Sequence, residues 1–458
     1  MASTYLNRTF STPTNNKKWT YSLWVKRASP STDNGLLSCG ANGNNRGLIY
    51  ISSGNTLGYF DTDSGTDTTT IVTNRLFRDV SAWYHIVIAV DTTQATSSDR
   101  VKIYVNGTQE TSLSSSTYPL QNYDGYINSG IRHDISGRNH QGTSDLYFDG
   151  EMAHVNFIDG TAYDASAFGE TDATTGIWKP KTTPSVTYGN NGFFLKFENS
   201  GAFGTDSSGN ANNFTVNGTM TQTIDTPSNV FATANVLVNV PDTTSNTSNG
   251  NLTIENIDSG SGSSHKTMFG TIAISKGKWY WECKAKSGVS TKFTVGFSEA
   301  GNQSSFQQVL GTNSIVGNQS NTYVSGDAIG WYDTTLYKNG SIVASSLSQI
   351  VANDIMMIAV DCDNGKIYFG KNGTWRVANS STFDPAQNDT TFTTGKFYVP
   401  AFSNEGCGWF LNFGNGYFGT TAVSSAENPD DGIGIFEYAI PTGYKALCTK
   451  SINAQEYD

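Results

Sequence analysis

Charge is scarce in this sequence, and long apolar runs are absent. Of its 458 residues 15% are charged, the formal net charge is −11, and no lysine or arginine cluster extends beyond Lys17-Lys18. A nucleic-acid surface needs a basic face to replace phosphate counterions, so that class of partner is excluded and the acidity is assigned to solubility. The apolar run Ile355 to Val360 falls far short of the ~20 residues that cross a bilayer, so no membrane insertion is expected. Met1 to Phe10 has no apolar core behind a basic start, so no signal peptide is expected either. Cysteine is sparse, odd in number and scattered (Cys39, Cys283, Cys362, Cys407, Cys448), with no C-x-x-C pair. These read as buried thiols of a protein made in a reducing cytoplasm. No convincing amphipathic helix is found, and no H-E-x-x-H or G-x-S-x-G motif occurs.

What is present is turn chemistry and alternation. The chain has 47 Gly against 11 Pro, 12% aromatics, and abundant Ser, Thr and Asn, which together predict an all-β protein rich in turns. Its length predicts two or three domains. One phrase occurs twice: Trp83 to Thr108 (WYHIVIAVDTTQATSSDRVKIYVNGT) and Met357 to Thr374 (MIAVDCDNGKIYFGKNGT). In both, an apolar run ends in Ala-Val-Asp, a polar connection follows, and Lys-Ile-Tyr leads into Asn-Gly-Thr. Val101, Ile103 and Val105 alternate with Lys102, Tyr104 and Asn106, as on a strand with one face in a core. Asn106-Gly107 and Asn372-Gly373 supply residues that tolerate positive φ in a tight turn. Each copy is therefore expected to be a β-hairpin at the centre of its own sandwich.

The domains are placed at 1–225 and 251–458, with 226–250 as linker. Pro227, Pro241 and the run Asp242 to Asn251 lack apolar periodicity, which fits an exposed connection. In the first domain Trp19 to Val25 alternates as a strand. Tyr147 to Asp159 reads as a turn and strand, with Met152, His154, Asn156 and Ile158 on one face and Ala153, Val155 and Phe157 on the other. In the second, Gly277 to Ala285, Phe293 to Glu299, Gly326 to Asp333, Leu336 to Ser341 and Val399 to Gly414 are the expected strands and turns. The tail Pro441 to Asp458, carrying Tyr444, Leu447 and Ile452, is expected to pack back on the body.

These blocks resemble known families. WYHIVIAVD, RVKIYVNGT and FDGEMAHVNFIDGTAYDASAF, with Phe148, Gly150 and Met152 at an F-x-G-x-(I/L/M) turn, look like a laminin-G-like, concanavalin-type jelly roll over residues 19–168. YLNRTF, WTYSLWVKR, FGETD, NGFFLKFEN, TDSSGNANNFT and TPSNVFATAN are similar to a group of bacteriophage virion proteins, many from marine phages. GKWYWE, VGF, GDAIG, AVDCDNGKIYFGKNG and the terminal NFG resemble a SPRY domain, also a concanavalin-like sandwich.

The fold implied is all-β, two concanavalin A-like jelly-roll sandwiches in tandem. The function implied is that of a structural phage virion protein, a tail-fibre or receptor-binding subunit that recognises host-surface glycan or protein through sandwich loops. Its alternatives are a capsid decoration or head-fibre protein, and a glycan-cleaving enzyme. Its partners would be other virion proteins and the host surface, its assembly a homo-oligomer, a trimer by analogy, and its place the particle surface after assembly in the host cytoplasm.

Candidate chemistry is thin. Glucanases on this fold need paired carboxylates, but Glu170-Thr171-Asp172 has no third acid at the right distance, and Glu198, Glu282 and Glu437 stand alone in sequence. Among His85, His133, His140, His154 and His265, the strand residues His85 and His154 read as structural histidines. Asp61, Asp63 and Asp67, and Asp361, Asp363 and Gly365, imitate calcium loops but lack the later glutamate, so they read as turns. GNGYFG at Gly414 to Gly419 is followed by no helix pattern and is not a nucleotide fingerprint. No cofactor, metal or catalytic residue is expected. Ligand-binding candidates are Trp331, Tyr332, Asp333 and Trp375, aromatic anchors flanked by polar residues, with core packing as the alternative for both tryptophans.

Overall fold

The computed structural model of the protein describes residues 3–140, 143–238, 247–255, 266–288, 292–300 and 327–457. The chain divides into two compact units, Met1–Gln222 with Thr226–Ser228, and Thr223–Asp225 with Asn229–Asp458. His265, residues 239–246 of the expected linker and Gly326 lie outside the described residues.

In the first unit the phrase Tyr84–Asp91 and Val101–Val105 forms a hairpin inside a six-stranded sheet. The strand order is Phe193–Leu195, Gly150–Asp159, Lys18–Arg27, Tyr84–Asp91, Val101–Val105, Thr108–Glu110. Alternation decides which side chains enter the core: Trp19, Tyr21, Leu23, Val25, Ile86, Ile88 and Val90 meet Leu37, Cys39, Ile49, Ile51, Leu57, Tyr59 and Ile71 of an eight-stranded antiparallel sheet. The opposite face of the six-stranded sheet is also covered, because Tyr163, Phe168, Trp178, Val186 and Tyr188 pack on Val87 and Ile158.

The strand Gly150–Asp159 departs from the simple alternation expected of it. Its register against Lys18–Arg27 shifts between Ala153 and Asn156, and His154 sits at φ +48. The extra residue is a β-bulge, so Ala153 faces the same way as Asn156 and Ile158, while Val155 and Phe157 enter the core.

The second unit repeats the plan. Ile355–Asp361 and Lys366–Lys371 pair as a hairpin beside Lys278–Lys286, in a nine-stranded sheet that shares a core with a six-stranded sheet running from Lys266–Phe269 to Ser341–Ala344. Both copies of the phrase carry the same fittings. Lys18 pairs with Asp91 at 3.2 Å and Lys278 with Asp361 at 3.6 Å, each across the strand next to the hairpin. Each Asn-Gly turn has φ near +50 then +80, and its asparagine Oδ1 accepts the backbone N–H that opens the partner strand: Asn106 from His85 (2.8 Å), Asn372 from Ile355 (2.7 Å). Asn339-Gly340 is a third instance, accepting from Ala328 at 2.7 Å.

Two expectations are corrected. Residues 229–235 were assigned to an exposed connection, yet Phe231, Ala232 and Ala234 are buried in the second unit, where Ala232 N–H donates to Leu447 and Ala234 N–H to Asn251. A short apolar cluster without periodicity reads as linker in sequence but here fills gaps between strands. The tail does pack back, with Tyr444 and Leu447 buried, but residues Thr449–Tyr457 form an α-helix that no amphipathic pattern announces. Local bonds hold its start: Thr449 Oγ1 accepts from Val230 N–H, and Asn229 Oδ1 from Lys450 N–H.

Candidate functional site

The outer face of the six-stranded sheet of the first unit gathers the most chemistry. Ser22 and Val87 are opposite one another, as are Trp24 and His85, and all point away from the inter-sheet core. Ser22 Oγ lies 2.9 Å from His85 Nε2, a spacing suited to a serine nucleophile and its base. The other ring nitrogen rules the pair out. Trp178 Nε1–H donates to His85 Nδ1 at 3.0 Å, and an indole nitrogen only donates, so Nδ1 is the bare nitrogen. The proton is then on Nε2, which donates to Ser22 and cannot take the serine's proton. Burial pushes the imidazole down to about 3, and Trp24 stacks on it at 4.7 Å. His85 is a structural histidine, as its strand position suggested.

His154 is different. Its bulge brings the imidazole against Phe194, 5.8 Å between centroids, with Lys196 Nζ 5.4 Å over the same ring. Asn156 braces the bulge by donating from Nδ2 to the His154 carbonyl at 3.0 Å and accepting from Tyr188 OH at 2.9 Å. Two buried nitrogens have no hydrogen-bond partner here: His154 Nδ1 and Nε1 of Trp24, whose side chain is 3% exposed. A buried polar group left so costs roughly 1–3 kcal/mol. Trp24 pairs directly with Ala153, the residue before His154. Burial holds the His154 imidazole below its ordinary pKa, and the Lys196 charge adds to this.

The buried carboxylates are already occupied by protein donors. Asp61 accepts from Tyr123 OH (2.8 Å) and Tyr126 N–H (2.9 Å), while Tyr126 OH donates to Asp63 (3.0 Å). The acidic phrase thus fastens residues 123–126, and burial raises Asp61 to about 6. Asp134 takes a two-pronged contact from Arg132 at 2.7 and 2.8 Å, and Asp159 accepts from Thr14, Asn15, Asn128 and Asn191. In the second unit Asp361 accepts from Asn364 within its own turn, and Asp363 accepts from Gly277 N–H, tying that turn to the residue before Lys278–Lys286. Glu282, fully buried, accepts from Tyr280 OH, Asn412 Nδ2 and the N–H groups of Glu437 and Tyr438. Burial pushes it up to about 7. Among the described residues no cluster of His, Cys, Asp and Glu suits a metal ion.

The four residues singled out in sequence are not brought together. On Ala328–Tyr332, Ile329 and Trp331 face the core; Trp331 is 3% exposed, lies 6.3 Å from Phe369 and donates from Nε1 to the Asp333 carbonyl. Trp375, 4% exposed, belongs to another apolar layer with Tyr280 and Phe383. Both tryptophans are packing residues: alternation places Trp331 in the inter-sheet core, while Trp375 lies in the layer that covers the outer face of its own sheet. Tyr332 and Asp333 are half-buried, and Asp333 takes φ +51 in the turn before Thr335–Lys338. Trp24, Trp178 and Phe194 were not singled out. The outward parity of Trp24 in WTYSLWV was the available signal; the bulge at His154 has none.

Residues 2–166 match the concanavalin A-like lectin/glucanases superfamily, Laminin G 3. The chain is all-β, two β-sandwiches in tandem. Similar solved structures include the SPRY domain of human HERC1 (15% identity, TM-score 0.23, 33% of this chain and 83% of that one). Others are a heptameric SAP-like pentraxin from Limulus polyphemus (16%, 0.27, 35% and 71%) and the CBM40 of a Ruminococcus gnavus IT-sialidase bound to α2,3 sialyllactose (20%, 0.23, 30% and 72%). No curated protein matches the chain.

Proposed function

We propose that this chain is a recognition protein without catalytic activity, which binds glycan or protein on a host cell as a tail-fibre or receptor-binding subunit of a phage particle. The observation that carries the reading is that, among the described residues, the buried carboxylates and the Ser22–His85 pair are committed to internal hydrogen bonds, in a chain whose residues 2–166 match the lectin/glucanases superfamily. The Ser22–His85 pair has the wrong tautomer, and Asp61, Asp134, Asp159 and Glu282 are each held by protein donors. A glycan-cleaving site needs one carboxyl free to donate a proton and another free to attack or activate water. The likeness of YLNRTF, WTYSLWVKR and NGFFLKFEN to phage virion proteins supports placement on a particle, with other virion proteins as partners and a homo-oligomer as the assembly. Copies multiply weak single contacts into firm attachment.

The test is a glycan array and a host-adsorption assay with the purified chain. Glycan or cell binding, and adsorption blocked by antibody against the chain, are expected. Unimpaired adsorption with no array signal overturns the reading, and labelling of the capsid rather than the tail on imaged particles shifts it to a decoration protein.

A further inference from the structure

We propose that the edge strand Ser341–Ala344 of the second unit docks a second copy of this chain, the two strands pairing antiparallel about a two-fold axis with Ile342 opposite Ile342. This goes beyond the recognition reading: it names a surface for self-association, and it stands whether or not the chain binds a glycan.

Ser341–Ala344 ends the six-stranded sheet, paired with Thr335–Lys338 on one side and, among the described residues, with no strand on the other. The Asn339-Gly340 turn fixes which backbone groups it offers. In a two-residue hairpin the residues flanking the turn, here Lys338 and Ser341, exchange hydrogen bonds, so the next residue, Ile342, directs its N–H and C=O outward. Its side chain lies opposite Tyr337, on the sheet face away from the core that Trp331 and Leu336 enter. Ile342 is 62% exposed and Val343 38%, the one adjacent pair among the exposed large apolar side chains of the described residues. Sheet edges are ordinarily blunted by charge, by proline or by a covering segment. The opposite edge of this sheet, Lys266–Phe269, is met by neighbouring backbone, the Phe269 carbonyl accepting from Asn235 N–H at 2.7 Å. Ser341–Ala344 has no charge and no proline, only a bulge at Val343 that confines regular pairing to Ile342 and the residues before it.

Charge and symmetry argue for a second copy as the occupant. Each copy carries a net charge of −11, so two copies repel and meet most readily where both are locally neutral. The chain is uncharged from Asn339 to Asn353, and the nearest charge on the neighbouring strand, Lys338, is turned to the Thr391 carbonyl at 2.8 Å. A two-fold axis at Ile342 lets its outward N–H and C=O exchange hydrogen bonds with the same groups of the second copy, and it sets Ser341 opposite Val343, so no like charges face one another. The two Ile342 side chains become cross-strand neighbours, each with a Tyr337 behind it. Such a contact closes at two, so an assembly built on it is a dimer and not the trimer expected by analogy.

The experiment follows the mass of the full chain by analytical ultracentrifugation over a range of concentrations, at low and at raised salt. A monomer–dimer equilibrium is expected, tightening as salt screens the repulsion between copies. Ile342→Pro removes the outward N–H without touching the hairpin bonds, and Ile342→Lys sets two ammonium groups against each other. Each is expected to weaken the dimer roughly tenfold or more while leaving the urea midpoint of the monomer unchanged, and Ile342→Val is expected to retain the dimer. The five native cysteines are buried, so Ile342→Cys is expected to cross-link two copies under mild oxidation and the parent is not. A parent that stays monomeric throughout overturns the proposal, as does a trimer or any oligomer that both Ile342→Pro and Ile342→Lys leave intact. Either result leaves the recognition reading standing, and a chain that dimerises through Ile342 but neither binds glycan nor blocks adsorption overturns that reading alone.

Discussion

Single residues set the register of both sandwiches. Asn372 closes its turn with three contacts: Oδ1 accepts from Ile355 N–H, Nδ2 donates to Asp354, and its own N–H donates to Ile355 O. Asn372→Gly keeps the positive φ and loses the amide, and should cost about 1–2 kcal/mol by urea denaturation. Asn372→Ala adds left-handed strain, roughly 1 kcal/mol more. No loss for Asn372→Gly would mean the side chain is idle, and equal losses for the two would mean the backbone there carries no left-handed strain. His85 carries a second expectation at this scale, since ring ¹⁵N shifts should show the proton on Nε2 across the neutral range. A proton on Nδ1 would contradict the Trp178 contact and reopen the serine pair as chemistry. The Asn-Gly turns were legible in sequence because positive φ restricts residue type so sharply. The tautomer was not, because Trp178 lies 93 positions from His85.

At the scale of elements, each central sheet has an outer face covered by a later stretch of its own chain. In the second unit Phe436, Tyr444 and Ala446 cover Tyr280, Met357 and Tyr368, and Glu282 pins that cover through the Glu437 and Tyr438 N–H groups. The carboxyl has a folded pKa near 7 against about 4.5 unfolded, so between those values the folded state holds the extra proton. Stability contributed by this group is full below pH ~4.5 and falls as pH rises to ~7, by on the order of 3 kcal/mol. Glu282→Gln should flatten the stability curve across that window, whatever it does to its height; an unchanged slope would assign the pH dependence elsewhere. Alternation made the inward faces readable from WTYSLWV and RVKIYVNGT. The outer layers were hidden because two-sided burial erases the polar half of the pattern, and the bulge at His154 because one inserted residue leaves composition untouched.

For the molecule as a whole, two bodies with separate cores follow from the repeated phrase, but their seam does not follow from composition. A fragment spanning 251–458 omits Phe231, whose burial alone is worth about 3–5 kcal/mol, along with Ala232 and Ala234. A fragment spanning 223–458 should therefore melt cooperatively at a clearly higher temperature than 251–458 in calorimetry. Matching transitions would mean that residues 229–235 contribute nothing. The same stretch has one more consequence. Val230 and Thr449 exchange hydrogen bonds, so the entry of the chain into the second body lies beside the start of the Thr449–Tyr457 helix. A glycine-rich linker long enough to return along that 9-residue helix, roughly 14 Å, would join Tyr457 to Asn229 and close the body into a ring, which could then be reopened at a hairpin such as Asn339-Gly340.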